Sequence, residues 1–341
     1  MLNPEAKLNP KLFDADVEQK PTRDGYGTGL VLAGEADRNV VALCADLTES
    51  TRTEAFAEKF PERFVEMGVA EQNMATVAAG FGISGKIPFI ASYATFSPGR
   101  NWEQIRTTIA YNDANVKIAG HHAGISVGPD GATHQATEDI AMMRAMPNMK
   151  VFVPCDAIEG EKATVAAAHI YGPVYLRFQR EKTPVMTTAE TPYTPGKAEI
   201  FWQPGNGAAS SSGRGSSKPD VLIIACGGLV FNALVAAREL EKEKIGVIVL
   251  NCHTIKPLDE KKIVELAKKA GAVVTVEEHQ VEGGLGGAVA ECLAKFAPTP
   301  IEFIGMQNTF GESGAPAALI EKYGMGVEDI KKAAKKVLRR K

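Results

Sequence analysis

Glu71 opens the stretch "EQNMATVAAGFGISG", which sets an acid at the head of a run rich in Ala, Val, Met and Gly. In the first turn of a helix an acid is a favourable partner for the helix dipole. Its apolar neighbours allow a second reading: they disfavour the charged carboxylate, so the group can hold a proton and donate it to a bound nitrogen. Tyr93 and Phe96, in "SYATF", end a strand-like run, where the loops of open α/β sheets build ligand sites. The same aromatics could serve as core. Downstream, "HHAGISVGPDGATHQATED" holds His121, His122 and His134, three of the six histidines, in a Gly-rich loop between strand and helix. A "GPDG" turn and a Thr133 or Thr137 cap account for the glycines but not for the histidines. The segment offers no cysteine and no regular helical pair of ligands, so hydroxyl and anion binding suit it better than a metal.

Other signatures are weak or missing. "GGLGG", residues 283 to 287, opens the helix-like "AVAECLAKF", but it lacks the third glycine and the ribose acid of a dinucleotide fingerprint. Neither a GxxxxGK[ST] phosphate loop nor a GxSxG elbow occurs. Cys44, Cys155, Cys226, Cys252 and Cys292 are scattered and never paired as CxxC, which reads as small core residues. A net charge of -3 gives no global attraction to nucleic acid. The basic "KKAAKKVLRRK" end reads as a solvated helix face. No run of about 18 apolar residues is present to span a bilayer, and residues 1 to 27 lack a signal-peptide core, so neither nucleic acid nor membrane is expected as a partner and a cytoplasmic protein is.

The elements that must position these residues alternate. "NVVALCADL", "IPFIASY", "VKIAGHH", "KVFVPC" and "PVYLRF" are short apolar strands separated by helix-like runs, the pattern of a parallel sheet covered on both faces. After "GNGAASSSGRGSS", residues 205 to 217, a segment too poor in apolar groups to order itself, the alternation resumes with "DVLIIACG", "IGVIVLN", "AVVTVEEH" and "IEFIGM". The 341 residues therefore read as α/β, with two parallel-sheet-based domains: an N-terminal extension over 1–18, a first domain over 19–182, a linker with a flexible Gly/Ser insertion over 183–219, and a smaller domain over 220–341.

Taken together, "EMGVAEQNM", "IPFIASYATF", "GPDGATHQATED", "MPNMKVFVPCD" and "GPVYLRFQR" resemble the second half of a transketolase, in order and spacing, across residues 20 to 335. The resemblance implies a thiamine-diphosphate pyrimidine-binding domain followed by a transketolase C-terminal domain. It places Glu71 on the glutamate that meets N1′ of the aminopyrimidine, Tyr93 and Phe96 on the aromatics packed around that ring, and Asp46 on an acid near the cofactor pocket. Catalytic roles fall to Glu71 and His134. His134 and Asp130 match residues that contact sugar hydroxyls, while Arg23, Ser50, His122 and Arg180 match phosphate-binding positions, with Arg177 a competitor for Arg180. "SPGRNWEQ" departs from the family pattern, which leaves a third pocket aromatic unassigned. The half that grips the diphosphate and Mg2+, marked by GDG and a downstream Asn, is not found. The expectation is thus a C-terminal subunit that shares thiamine diphosphate with an N-terminal partner chain, which binds the Mg2+, and that self-associates into a heterotetramer acting on sugar phosphates. Deoxyxylulose-phosphate synthase, the β subunit of a 2-oxoacid dehydrogenase, and a non-catalytic partner subunit stay as alternatives. The first of these normally carries an arginine at the position of His122.

Overall fold

The computed structural model describes residues 1–205 and 218–341; residues 206–217 of the expected Gly/Ser insertion lie outside the described residues. In chain order the strands are β1 (Gln19–Pro21), β2 (Val40–Cys44), β3 (Phe64–Glu66), β4 (Ile87–Tyr93), β5 (Lys117–His121), β6 (Lys150–Phe152), β7 (Val174–Arg177), β8 (Lys182–Pro184), β9 (Glu199–Trp202), β10 (Val221–Ala225), β11 (Val247–Asn251), β12 (Thr254–Lys256), β13 (Val273–Gln280) and β14 (Ile301–Met306). The helices are α1 (Thr22–Ala36), α2 (Glu54–Lys59), α3 (Glu71–Ile83), α4 (Trp102–Gln104, running on as a π-helix over Ile105–Ala110), α5 (Asp139–Ala145), α6 (Ala157–His169), α7 (Leu229–Lys242), α8 (Glu260–Ala270), α9 (Leu285–Phe296), α10 (Pro316–Lys322) and α11 (Val327–Leu338).

The first sheet has the order β12-β6-β7-β5-β4-β2-β3. Its members are parallel except β12, which pairs antiparallel with β6. The second sheet, β14-β13-β10-β11-β9, is parallel except for the antiparallel edge strand β9. Both sheets are buried on two faces, as the continuous apolar strands imply. Along β2 the side chains alternate: Val41 and Leu43 join one core, Val40, Ala42 and Cys44 another.

Two features depend on contacts distant in sequence. One apolar cluster runs without a break from Met74 and Ile118 at the first sheet to Leu250 and Val273 at the second, so the sheets share a core. Residues 1–18 pack on the second sheet: Asn3 donates to the Phe201 carbonyl at 2.9 Å, and Ala6 and Leu12 are buried with Phe201 and Trp202. The basic face of α11 is not bare, because Lys331, Lys335, Lys336 and Arg340 all reach Glu243, Glu302 or Glu328. Among the described residues no helix is long and apolar enough to cross a membrane.

Candidate active site

The parallel strands of the first sheet bring the sequence-selected residues to one edge. Tyr93 is the last residue of β4, His122 follows β5, Arg180 lies just past β7, Asp46 and Ser50 follow β2, and Glu71 begins α3. This is the carboxyl edge, where open α/β sheets bind ligands. Arg23 comes from the first turn of α1, whose position depends on Gly25: an added Cβ there would lie 1.9 Å from the Ala157 carbonyl oxygen, so only glycine lets α1 press against α6. Three non-glycine residues along this edge have left-handed backbones: Asp46 (φ 59°), Arg52 (φ 64°) and His122 (φ 55°). Such outliers persist where the surroundings hold them, and they gather at functional sites.

Arg23, Ser50 and His122 meet directly. The Arg23 guanidinium donates through Nη1 to the Ser50 carbonyl at 2.7 Å and lies 3.3 Å from His122 Nε2. Burial, followed by the charges of Arg23, Arg180 and Arg52, pulls the His122 pKa down to about 3. The ring is therefore neutral at ordinary pH, accepts from Arg23 at Nε2 and carries its proton on Nδ1. That Nδ1 and Arg23 Nε are both buried without a hydrogen-bond partner. Two donors without an acceptor, on side chains in direct contact, fit an anion or a sugar hydroxyl. The Arg23 pKa is also lowered, by burial first and then by Arg52.

Tyr93 stacks on His122, ring centres 3.9 Å apart, and lies near-parallel to Phe96 at 6.2 Å. His134 stands edge-on to both aromatics, at 6.2 and 5.4 Å, and its Nδ1 lies 2.9 Å from Thr133 Oγ1. Asp130 faces Arg180, with both carboxylate oxygens 3.3 Å from Nη1. Arg177, the competitor for the anion, is committed elsewhere. It is buried, its Nε lies 2.8 Å from Asp139, and its Nη2 donates to the carbonyls of Ala136 and Glu278. Asp46 is exposed, and only its backbone amide is engaged here, donating to Glu66 Oε1 at 2.7 Å.

Glu71 requires a correction to the apolar setting expected for it. Its side chain is 1% exposed, yet Arg100 Nη1 lies 2.6 Å from Oε2, and Ser92 Oγ reaches Oε1 at 3.4 Å. The Arg100 guanidinium also covers the Phe96 ring at 4.6 Å. It comes from "SPGRNWEQ", the segment that departs from the family pattern, and nothing in the spacing of an isolated arginine signals that it will fold back over 29 residues. Arg52, in "TESTRTE", likewise carries no signal in its spacing, because its direction is set by a left-handed backbone.

Tyr93, Phe96 and His122 present near-parallel rings, and Arg100 links the Phe96 ring to the buried Glu71 carboxylate, a combination able to take a flat nitrogen-bearing ring. Among the described residues no group of three or more His, Cys, Asp or Glu is gathered as metal ligands. In "GGLGG" the Leu285 and Gly286 amides of the α9 N-terminus donate to the Glu277 carboxylate, each at 2.7 Å.

The pyrimidine-binding domain model of transketolase matches residues 18–186, and the transketolase C-terminal domain model matches residues 214–330. The chain is 43% identical over 315 residues to a "Putative transketolase C-terminal section" of Methanocaldococcus jannaschii, covering 92% of this chain and 95% of that protein. It is 38% identical over 329 residues to the "6-deoxy-6-sulfo-D-fructose transketolase subunit SqwH" of Clostridium sp. (strain MSTE9), covering 96% and 98%. A solved structure described as "Split gene transketolase, inactive beta4 tetramer" superposes with a TM-score of 0.84 at 44% identity, covering 94% of this chain and 98% of that one.

Proposed function

The chain belongs to the transketolase family, and on that premise we propose that it is the C-terminal subunit of a two-chain transketolase. In this reading it moves a two-carbon ketol unit from a ketose phosphate to an aldose phosphate, together with an N-terminal partner chain that supplies the diphosphate and Mg2+ ligands. The observation that carries the sugar-phosphate part is the pair of open buried donors, Arg23 Nε and His122 Nδ1, beside the Tyr93 ring.

Thiamine diphosphate, when bound, supplies the electron sink that cleavage next to a ketone requires. The work of the chain is positional and protonic. Tyr93 and Phe96 would pack the pyrimidine, and Glu71 would share a proton with its N1′ nitrogen. Arg100 is the group with which that nitrogen must share Glu71, or which it must displace. Asp46 lies at the exposed end of β2, on the rim of the same edge. His134 and Asp130 would meet sugar hydroxyls, while Arg23, Ser50, His122 and Arg180 would hold the terminal anion. For Arg180 this means giving up Asp130, whose two carboxylate oxygens lie 3.3 Å from Nη1, long for a charge-assisted pair, in exchange for substrate oxygens.

Self-association into a heterotetramer is part of the same proposal. Val69 and Ile83, flanking and ending α3, and Tyr111, just past the π-helix, are 69%, 66% and 85% exposed, apolar groups that a second copy or a partner domain would cover. The relative described as a β4 tetramer supports association through the chain itself. Similarity to a sulfo-sugar transketolase subunit favours one second reading, in which the anion is a sulfonate. Reconstitution with a candidate partner chain, assayed on phosphorylated and sulfonated ketose donors in parallel, tests both. Transfer from the phosphorylated donor alone supports the first reading, transfer from the sulfonated donor alone the second, and no transfer from either refutes the function.

A further inference from the structure

Arg52 stands two residues beyond Ser50 in the turn between β2 and α2, with a left-handed φ of 64°. The turn is held against α1 from several sides. The Arg52 amide donates to the Glu49 carbonyl at 3.0 Å, and its Nε donates to Asp24 Oδ1 at 2.7 Å. On α1, Gly27 leaves the room this needs: an added Cβ would lie 2.8 Å from both the Cβ and the carbonyl oxygen of Arg52. Asp24 is the neighbour of Arg23, whose guanidinium reaches the Ser50 carbonyl and His122. Consecutive residues of one helical turn therefore fix two guanidinium groups at the same edge. With Nε spent on Asp24, the outer end of Arg52 has only a long 3.4 Å contact from Nη1 to the Glu49 carbonyl, and the side chain is 38% exposed. Arg23 and His122 both feel its charge, which opposes protonation of each.

We propose that Arg52 is a third guanidinium of the anion site, closing on the terminal phosphate of the sugar together with Arg23 and Arg180 and adding to the selectivity for phosphorylated sugars. This rests on the anion-site reading given above. Asp24 then serves to aim the fork, since a guanidinium held at Nε still presents its two Nη groups to a phosphate. An exposed Arg52–Asp24 pair with no ligand would be worth little by itself.

The 341-residue chain and its R52A, R52K, D24N, R23A and R180A variants are titrated at fixed ionic strength with inorganic phosphate and with ribose 5-phosphate, using ribose as the uncharged control. Arginine Nε–H signals in NMR spectra report binding. R52A is expected to weaken both phosphate ligands by about five-fold to thirty-fold, the range of a partly exposed charge-assisted contact, and to leave ribose unchanged. D24N, which loosens the aim of the fork, is expected to weaken both phosphate ligands less than R52A does, and binding tighter than wild type would overturn the aiming role of Asp24. Wild-type affinity in R52A alongside weakened R23A overturns the role of Arg52. If R52A does not fold, R52K decides, because it keeps the charge without the fork: weaker phosphate binding upholds the proposal and unchanged binding overturns it. A wild-type chain that binds no phosphate, or affinity untouched in both R23A and R180A, defeats the anion-site reading itself and the proposal with it.

Discussion

Glu71 combines near-complete burial with a guanidinium at 2.6 Å, so its role cannot rest on apolar surroundings alone. The sequence made the carboxylate visible, because an acid before an Ala- and Met-rich run is conspicuous, but not Arg100, which arrives from a loop 29 residues away. Tyr93 and the histidine loop were legible as strand-end features and Arg23 only through the family resemblance; Arg52 was not legible, since its direction depends on a left-handed turn. In the reconstituted enzyme Glu71→Gln should lower kcat by about 10² to 10⁴-fold with folding intact, because an amide keeps the shape but cannot carry the proton. A steady-state assay giving more than about a tenth of the wild-type rate would remove Glu71 from the proton chemistry. His121 offers a separate test through stability. It is fully buried between Tyr26 and Phe178 with both ring nitrogens unpartnered, and burial, reinforced by His122 and Arg23, holds its pKa well below the ordinary value. The unfolded chain takes up a proton near pH 6.5 that the folded ring refuses, so this site costs stability increasingly as pH falls below about 6.5. His121→Phe should therefore raise the melting temperature more at pH 5.5 than at pH 8. An equal shift at both would show that the ring is not held neutral.

At the scale of elements, the alternation of short apolar strands with helices was readable because both faces of each parallel strand are covered, whereas the join between the sheets was not. β12 leaves the second half of the chain to pair with β6, and residues 1–18 fold back onto β9; neither is signalled by local pattern, since only the partner strand gives them a place. The join also explains Arg177. As the last residue of β7 it bonds Asp139 of α5 and the Glu278 carbonyl of β13, tying one sheet to the other. Burial works against the Asp139 carboxylate, yet Arg177 and His279 beside it hold its pKa below the usual range. Arg177→Ala leaves that charge buried and unpaired, and denaturant titration should show a loss of about 3 to 5 kcal/mol. Kinetically, any loss in Arg177→Ala should fall equally on phosphorylated and unphosphorylated acceptors. Arg180→Ala should instead raise KM about ten-fold to a hundred-fold for the phosphorylated one alone. A selective loss in Arg177→Ala would move the anion contact inward, contrary to the geometry.

For the molecule as a whole, the two domain types occur in the order, and over nearly the full length, of a transketolase C-terminal section. In the function proposed above, the aromatic wall would take the pyrimidine and the Arg23–His122 edge the anion, while another chain would hold the diphosphate and metal. The proposed division of labour is readable only through family motifs, since composition and periodicity describe the α/β scaffold but say nothing of a partner chain. The most direct measurement is ketol transfer from xylulose 5-phosphate to ribose 5-phosphate, with thiamine diphosphate and Mg2+, by this chain alone, by the N-terminal candidate alone and by the two mixed. Activity should appear only in the mixture, rise to saturation at equal amounts of the two chains, and be lost when Glu71→Gln replaces the wild type. Turnover by this chain alone, or a stable complex of the two chains that transfers no ketol unit, would contradict the account.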